Sequence, residues 1–254
     1  MKIHLILSTT LLVFLSTIPS DAANIAWGAG AQNVSADTNV NNTGSLLYAF
    51  TFGDTAVPSA TVNGVTFSPF ARPNDATNTP VTVGSVTLAS TGIFFVSTNA
   101  DSSVSAPYSG LSAAYQGLLK SGIGMFGGGM TLTLGGLTNG TSYTVQLWSQ
   151  DTSDNPSAGF NTASNDAKTT LTAGAAVTLD ENSTNATGGI GQWATGTFTA
   201  TGSTQVIAVT ESHGSFEPVL NALQVRTAVP EPASLGLLGL GAALLAGRRR
   251  RGVR

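Results

Sequence analysis

Apolar residues in the central part of the chain occur in short runs rich in β-branched and aromatic side chains, and Gly, Asn, Asp and Pro separate these runs. In 143–150, Tyr143, Val145 and Leu147 alternate with other positions, which is the period of a strand with one buried face. Asn63-Gly64, between the β-forming residues of 62–67, is a strong signal for a tight hairpin. The same criteria predict further strands at 25–29, 46–52, 81–88, 93–97, 131–134, 177–180, 192–200, 204–210 and 220–226.

One stretch has the period of a helix instead. Between Ser109 and Lys120, apolar residues recur on one helical face, namely Leu111, Tyr115, Leu118 and Leu119. Ser109 is placed to cap the start of this helix, and Gly122 lies where its end is expected. About eleven short strands with one short helix and no strand–helix alternation predict an all-β fold, an antiparallel β-sandwich. No repeat of fixed period is visible, which argues against a solenoid or propeller.

The first 22 residues have the three parts of a secretory signal peptide. Met1-Lys2 gives a positive start, 3–18 is largely apolar, and the small residues Ser20 and Ala22 precede the expected cleavage site. We therefore predict a signal helix at 1–22, export through the inner membrane, and cleavage by signal peptidase after Ala22. The remaining domain is 23–228, which is long enough for one domain with a substantial core.

The segment 229–254 also divides into three parts. Its first residues are Val229, Pro230, Glu231 and Pro232, and the prolines keep the backbone out of a helix. An uncharged apolar run follows at 233–247, and then four consecutive arginines, Arg248, Arg249, Arg250 and Arg251. The run suits hydrocarbon, and the arginines would hold the end in the cytoplasm. A fifteen-residue helix reaches about 22 Å, less than the roughly 30 Å of a bilayer core, so we predict a short, transient transmembrane anchor.

This order of Pro-Glu-Pro, apolar segment and arginine cluster resembles the PEP-CTERM sorting signal of Gram-negative bacteria that produce exopolysaccharide. The resemblance covers 229–254. It implies recognition by an exosortase-type processing enzyme, removal or replacement of the tail, and delivery to the cell surface or extracellular matrix.

The charge of the domain excludes one class of partner. Its basic residues are Arg72, Lys120, Lys168 and Arg226, against eleven acidic ones, which gives a net charge of −7. So few cations cannot neutralise a row of phosphates, so we expect no nucleic-acid binding. The chain has no cysteine, so neither disulfides nor thiol chemistry contribute.

A second, looser resemblance concerns the strands at 136–148 and 221–225, which are similar to the central and final strands of galactose-binding-like and malectin-like jelly rolls. It implies a jelly-roll-like fold and a tendency to bind carbohydrate, and it carries over no binding residue.

Two tryptophans are candidates for contact with a sugar. Trp148 faces away from Tyr143, Val145 and Leu147, so its indole could stack on a sugar ring or pack under a loop or the helix. Trp193 shares a face with threonines, including Thr195 and Thr197, and has the same two alternatives.

Catalytic and metal-binding signals are weaker. Glu211 and His213 would share a face of a strand, but a single histidine cannot build a histidine-rich zinc site. A glycosidase needs two carboxyls across a cleft, for which the candidates are Asp151, Asp154, Asp180, Glu181, Glu211 and Glu217. Asp151 and Asp154 are also candidate ligands for a structural calcium ion, although the spacing is not that of an EF-hand.

The sequence thus predicts an exported, non-enzymatic β-sandwich that is structural or adhesive in an exopolysaccharide or biofilm matrix, with weak carbohydrate binding. The alternative is a carbohydrate-active enzyme, a hydrolase or lyase that acts on matrix polysaccharide. No cofactor is expected apart from the calcium ion.

Overall fold

The apolar runs become strands in three sheets. The structure, a computed structural model, describes residues 22–73, 77–97, 106–126, 128–151, 166–186, 188–212 and 217–229. The large sheet has the order β1-β14-β11-β17-β3-β5-β4, and β2 also pairs with β14. Its strands are β1 (Ala26–Trp27), β2 (Gln32–Asn33), β3 (Leu46–Gly53), β4 (Ala60–Val62), β5 (Val65–Ala71), β11 (Ser142–Ser149), β14 (Gln192–Thr199) and β17 (Ala222–Thr227).

A second sheet faces the large one and has the order β13-β12-β15-β10-β7-β6. Its strands are β6 (Val81–Val83), β7 (Val86–Ser90), β10 (Gly129–Leu134), β12 (Lys168–Ala173), β13 (Ala175–Asp180) and β15 (Gln205–Glu211). Apolar side chains from both sheets, among them Leu147, Leu223, Leu132 and Leu171, form one buried cluster between them. The predicted all-β sandwich is therefore confirmed.

A small sheet and one helix complete the described fold. The small sheet consists of β8 (Ile93–Ser97), β9 (Gly122–Phe126) and β16 (Val219–Leu220), and the helix α1 spans Ala113–Leu119. The buried side chain of Asn221 joins these parts, because its Nδ2 donates to the carbonyls of Leu119, Ser121 and Gln150 at 2.9–3.0 Å. Its Oδ1 accepts from the Gln150 amide at 2.6 Å.

The outer face of the large sheet is covered by α1 and by the segment 34–44. A second buried cluster lies under this cover and includes Val40, Phe67, Tyr115 and Trp148. The cover is also held by polar side chains of the sheet, which form a continuous hydrogen-bond network, here called the amide network.

The amide network consists of one side chain of β11, Gln146, and two side chains of β17, Gln224 and Arg226. Gln146 Nε2 donates to the Asn39 carbonyl at 2.6 Å, and its Oε1 accepts from the Asn41 amide at 3.0 Å. Gln224 Nε2 donates to Gln146 Oε1 at 2.7 Å and to the Asn41 carbonyl at 2.9 Å. Arg226 completes the network by donating to Gln224 Oε1 at 2.9 Å and to the Gly44 carbonyl at 2.8 Å.

The hairpin at Asn63-Gly64 is confirmed. Val62 pairs with Val65, and both turn residues have positive φ, 48° and 75°, as a type I′ turn requires. The sheet is nevertheless not wholly antiparallel, because β5 rather than β4 pairs with β3, and it does so in parallel. The hairpin joins the large sheet through its second strand, β5. The residues of the turn do not determine which of the two strands pairs with β3.

Other local predictions need correction. The helix begins later than expected, because Ser112 rather than Ser109 caps it by accepting from the Tyr115 amide at 3.1 Å, and a short 3-10 helix occupies Tyr108–Gly110. The run 81–88 is not one strand but part of a hairpin with a turn at Gly84, where φ is 57°. The strands β9 and β12 were not predicted, since glycine in one and alternating threonine in the other obscure the apolar pattern.

The strand directions give the sandwich two distinct rims. The tail rim holds both ends of the described chain, at 22–24 and 228–229, since Ile25 bonds to Ala173 and the Ala228 amide donates to the Ser142 carbonyl. Its turns lie at 43–45, 63–64, 84–85, 135–141, 174 and 200–204.

The opposite rim, called the acidic rim, lies at the other ends of the same strands, beyond Gly53, Ser149, Asp180 and Glu211. The Asp151 amide donates to the Glu181 carbonyl there, which joins the two sheets. The described charged residues of the acidic rim are Asp54, Arg72, Lys120, Asp151, Asp166, Lys168, Asp180, Glu181, Glu211 and Glu217. The predicted signal helix, apart from Ala22, and the predicted C-terminal apolar helix lie outside the described residues.

Candidate functional site

Trp148 is a core residue. Its side chain has no exposed surface, its Nε1 donates to the Tyr115 hydroxyl at 3.0 Å, and its ring meets Phe67 edge to face at 5.7 Å between centroids. The sequence correctly placed this indole on the face opposite Tyr143. The prediction that it stacks on a sugar needs correction, because the indole is fully buried. The packing of α1 over this face leaves no indole surface for a ligand, so the alternative of packing against the helix is the one observed.

Trp193 lies directly opposite Trp148, on the neighbouring strand β14. It is only half-buried, because the cover over Trp148 ends near this edge of the large sheet. Thr195 and Thr197 follow on the same face of β14. The second predicted aromatic candidate is therefore the one that remains partly accessible.

A groove beside Trp193 arises from the way the chain enters the sheet. β1 pairs with β14 at Ala26 and Trp27, and β2 pairs with the same edge at Gln32 and Asn33. The intervening residues 28–31 leave the sheet and return, a path that uses positive φ of 75° at Gly30. The Gly28 amide donates to the Thr195 carbonyl at 2.9 Å, so this loop is fastened to the strand.

The groove, here called the Trp193 groove, has a volume of about 210 Å³ and is lined by Trp193, Thr195, Thr197, Ala26, Gln32 and the glycines of the loop. Gln32 Nε2 donates to the carbonyls of Ala29 and Ala31 at 3.1 and 2.9 Å, which fixes the loop wall. The volume is below the roughly 300–1,000 Å³ of sites for drug-sized ligands, so it suits one small ring or a short chain segment.

The lining of the Trp193 groove is mostly apolar and contains no charged residue. Trp193 Nε1 is buried and has no hydrogen-bond partner in the described part of the protein. That nitrogen has almost no accessible surface, so the part of the indole that the groove offers to a ligand is its ring. An indole ring beside threonine hydroxyls is the chemistry that recognises a neutral polyhydroxyl compound, since the ring supplies apolar contact and the hydroxyls supply hydrogen bonds.

A second cavity of about 240 Å³ lies at the acidic rim, beside Val57, Pro58, Gly117, Lys120 and Ser121. Its walls are mostly apolar, and Ser121 Oγ is buried there without a partner among the described residues. It offers no aromatic ring, so it is a weaker candidate for a sugar.

The candidate carboxylates of the described chain lie at the acidic rim. Asp151 is buried at the end of β11, and Glu211 ends β15. Asp180 forms an ion pair with Lys168 at 3.3 Å, and Asp166 pairs with the same lysine. Burial and the nearby Asp166 raise the pKa of Asp180 despite the lysine. The pKa of Lys168 is raised as well, because its two carboxylate partners outweigh the effect of burial.

Several predicted residues cannot be placed in this way. Asp154 and His213 lie outside the described residues, as do Pro230, Glu231, Pro232 and Arg248, Arg249, Arg250 and Arg251. Val229 is described and exposed. Within the described ranges, no three His, Asp or Glu side chains are grouped so that they could hold a metal ion. Calcium at Asp151 and Asp154 stays a prediction.

Comparison with known proteins identifies the tail. Residues 228–251 match the family model of the PEP-CTERM protein-sorting motif. This motif implies export, processing by an exosortase and a C-terminal membrane-anchored sorting signal. The match covers the tail and leaves the sandwich unassigned. Of the helices in the described part of the chain, none has the length and hydropathy needed to span a bilayer.

The sandwich has little similarity to known proteins. No curated protein matches the chain. One solved structure that matches comes from a study of the promiscuous specificity of carbohydrate-binding modules of the β-sandwich superfamily, with 14% identity over 80% of this chain and 99% of that chain. Its TM-score is 0.15, which is too low to carry an argument about a site.

Proposed function

We propose that this exported domain is a non-enzymatic structural or adhesive component of an exopolysaccharide matrix, and that it contacts neutral polysaccharide through the Trp193 groove. The observation that supports this most directly is the half-buried indole of Trp193 in a groove that threonines also line and that contains no charged residue. Neutral sugars offer hydroxyl oxygens as acceptors and apolar ring faces, which match these groups.

Binding at this site should be weak. The groove holds about 210 Å³, and only one half-buried indole provides a large contact surface. A matrix protein does not need tight single sites, because many copies along one polymer raise the overall affinity through multivalency. We further propose signal peptidase as the enzyme that removes 1–22, and the cell surface or matrix as the destination.

The test is a glycan array with titration of any hits, using the full-length protein in detergent micelles, with and without calcium. Trp193→Phe keeps an aromatic ring but reduces the apolar contact area that the groove wall offers, so we expect a loss of affinity of up to about tenfold. Thr197→Val should weaken binding to a smaller extent.

The matched control is Trp27→Phe. Trp27 lies on the other face of the same sheet edge, and its Nε1 already donates to the Ala175 carbonyl at 3.1 Å. Equal losses for Trp27→Phe and Trp193→Phe, or binding that survives both, would remove the groove as the site. Binding that requires calcium, and is lost in Asp151→Asn, would move attention to the acidic rim.

The competing function is a carbohydrate-active enzyme at the acidic rim. One observation favours it, since Asp151, Asp180 and Glu211 all lie at that rim, at the ends of β13 and β15 and just beyond the end of β11. Its test is depolymerisation of matrix polysaccharide by the wild-type protein, followed by single replacement of each candidate carboxylate by Ala. Activity that survives every replacement would exclude these residues as the catalytic pair.

A further inference from the structure

Charge is distributed unequally between the two rims of the sandwich. The acidic rim carries seven acidic and three basic residues among those described. The turns of the tail rim contain no Asp, Glu, Lys or Arg and consist mainly of Gly, Ser, Thr and Asn. Among the described charged residues, Arg226 bonds to one of these turns, at the Gly44 carbonyl, and it is buried within the amide network.

The tail rim is also the rim from which the sorting tail continues. Val229 is exposed beside the turns at 43–45 and 135–141, since the Ala228 amide bonds to Ser142 and Thr227 bonds to Ser45. The apolar run of the tail begins at Ala233, only four residues beyond Val229. Four residues cannot span more than about 14 Å in any conformation. An inserted apolar run therefore keeps the tail rim next to the bilayer.

The distance between the rims is large compared with the Debye length, over which salt screens the interaction of exposed charges. β11 crosses the sandwich in eight residues, and at about 3.3 Å per residue this separates the rims by about 26 Å. The Debye length at physiological ionic strength is about 8 Å. With the tail rim towards the bilayer, the acidic residues lie several Debye lengths from anionic headgroups, whereas the inverted or lateral orientations would bring them into repulsion.

We propose that the tail rim is a membrane-apposed surface, so that the tethered domain stands upright on anionic lipid headgroups with its acidic rim directed outwards. The uncharged turns tolerate close contact with headgroups, and the Arg226 charge behind them is of the attractive sign. The connecting segment adds one negative charge, Glu231, against the seven described acidic residues of the acidic rim. The proposal rests on the sorting tail and not on carbohydrate binding. Failure of the sugar test above would leave it unaffected.

The absence of cysteine makes a direct distance measurement simple, because any introduced cysteine is the single labelling site. Ser203→Cys on the tail rim and Thr55→Cys on the acidic rim are matched substitutions in exposed turns. The full-length variants, each carrying a donor dye, would be reconstituted by the tail into vesicles of phosphatidylcholine and phosphatidylglycerol with acceptor-labelled headgroups. Circular dichroism would verify that both variants are folded.

We expect efficient energy transfer from the dye at position 203 and much weaker transfer from position 55. Equal transfer from both positions, or stronger transfer from position 55, would overturn the proposal. A second variant tests the charge argument, since Asn139→Glu adds a negative charge beside position 203 on the tail rim. It should reduce transfer from position 203 in anionic vesicles and leave it unchanged in phosphatidylcholine alone. Equal transfer with and without Asn139→Glu in anionic vesicles would show that charge does not orient the domain.

Discussion

The inner face of the large sheet packs against the second sheet through apolar side chains, whereas its outer face is covered by segment 34–44 and α1. The inner contacts are non-directional, and their strength follows the area removed from water. The outer cover combines the second apolar cluster with the amide network, in which each hydrogen bond depends on geometry. The large sheet therefore holds the second sheet by apolar packing, and it holds segment 34–44 largely by hydrogen bonds.

This difference predicts two kinds of failure. Loss of volume on the inner face should weaken the whole sandwich, because both sheets share that core. Loss of a network member should first release the cover, because the sheet beneath it keeps its strand pairing. It also explains the site, since the groove forms where the cover ends and the indole of Trp193 is left half-buried.

The largest expected effect is on the inner face. Leu147→Ala removes a fully buried side chain between the sheets, so we expect a loss of about 2–5 kcal/mol in the free energy of unfolding. Chemical denaturation with tryptophan fluorescence and circular dichroism should give coincident transitions. The control Val206→Ala, at an exposed position of β15, should cost less than about 1 kcal/mol. Comparable losses for the two variants would contradict the assignment of this core.

A smaller and more local effect is expected on the outer face. Gln146→Leu keeps the size of the side chain but leaves the Asn41 amide and the Asn39 carbonyl without their partners. We expect a loss of about 2–3 kcal/mol. Hydrogen exchange should lose protection in 34–44 before it does so in β11 and β17.

Thr144→Val is the matched control for that variant. It lies two positions away on the same strand and face, where no side-chain hydrogen bond joins it to the cover in the described structure. It should leave exchange in 34–44 unchanged. Simultaneous loss of protection throughout the sheet in Gln146→Leu would show that the two faces are not separable.

The contrast between the two tryptophans can be removed by one substitution. Tyr115→Phe deletes the hydroxyl that accepts from Trp148 Nε1, which would leave that N–H as unpartnered as the one of Trp193. We expect a cost of about 1–2 kcal/mol in thermal or chemical unfolding. Tyr48→Phe removes a weaker 3.2 Å bond from a half-buried hydroxyl to the Gly135 carbonyl, and should cost about 0.5 kcal/mol. A larger loss of stability in Tyr48→Phe than in Tyr115→Phe would argue against the buried Trp148–Tyr115 hydrogen bond.

The smallest effect is a loss of stability at alkaline pH. Burial raises the pKa of Tyr115, although the Trp148 hydrogen bond acts in the opposite direction, and burial with nearby Tyr143 raises the pKa of Tyr48. Both folded values lie above the unfolded value of about 10, so the folded state binds more protons above that pH. Stability should be unaffected below pH 10 and should fall as the pH rises beyond it.

Either Tyr→Phe substitution should make that decline shallower, and the double substitution should make it shallower still. Denaturation midpoints at a series of alkaline pH values would measure the slopes. An unchanged slope in the double variant would assign the alkaline sensitivity to other groups.

Much of the fold could be predicted because its signals are local. The hairpin at Asn63-Gly64 and the alternation in 143–150 depend on φ preferences and on period two, which neighbouring residues encode. The sorting tail is likewise a linear signal, read in order along the chain. The predicted cap of α1 at Ser109 was wrong, because the 3-10 turn at Tyr108–Gly110 occupies that position and Ser112, an equally suitable residue, caps the helix.

The candidate site was predicted only in part. The sequence identified Trp148 and Trp193 as candidates for contact with a sugar, and the structure buries Trp148 under α1 and leaves Trp193 half-buried. Alternation assigns a side chain to a face of a strand and does not reveal what covers that face. The return of 28–31 to the edge of β14, which creates the groove, leaves only the glycines of that segment as a signal.

The sequence by itself determined that this chain is an all-β domain and that it carries a sorting tail, because turn chemistry, strand period and a linear motif are properties of neighbouring residues. Only the tertiary structure decided which tryptophan is buried, how Gln146, Gln224 and Arg226 hold the cover, and how charge divides between the rims. These features bring together residues far apart in the chain, and such pairings depend on strand order and packing, which local patterns do not specify.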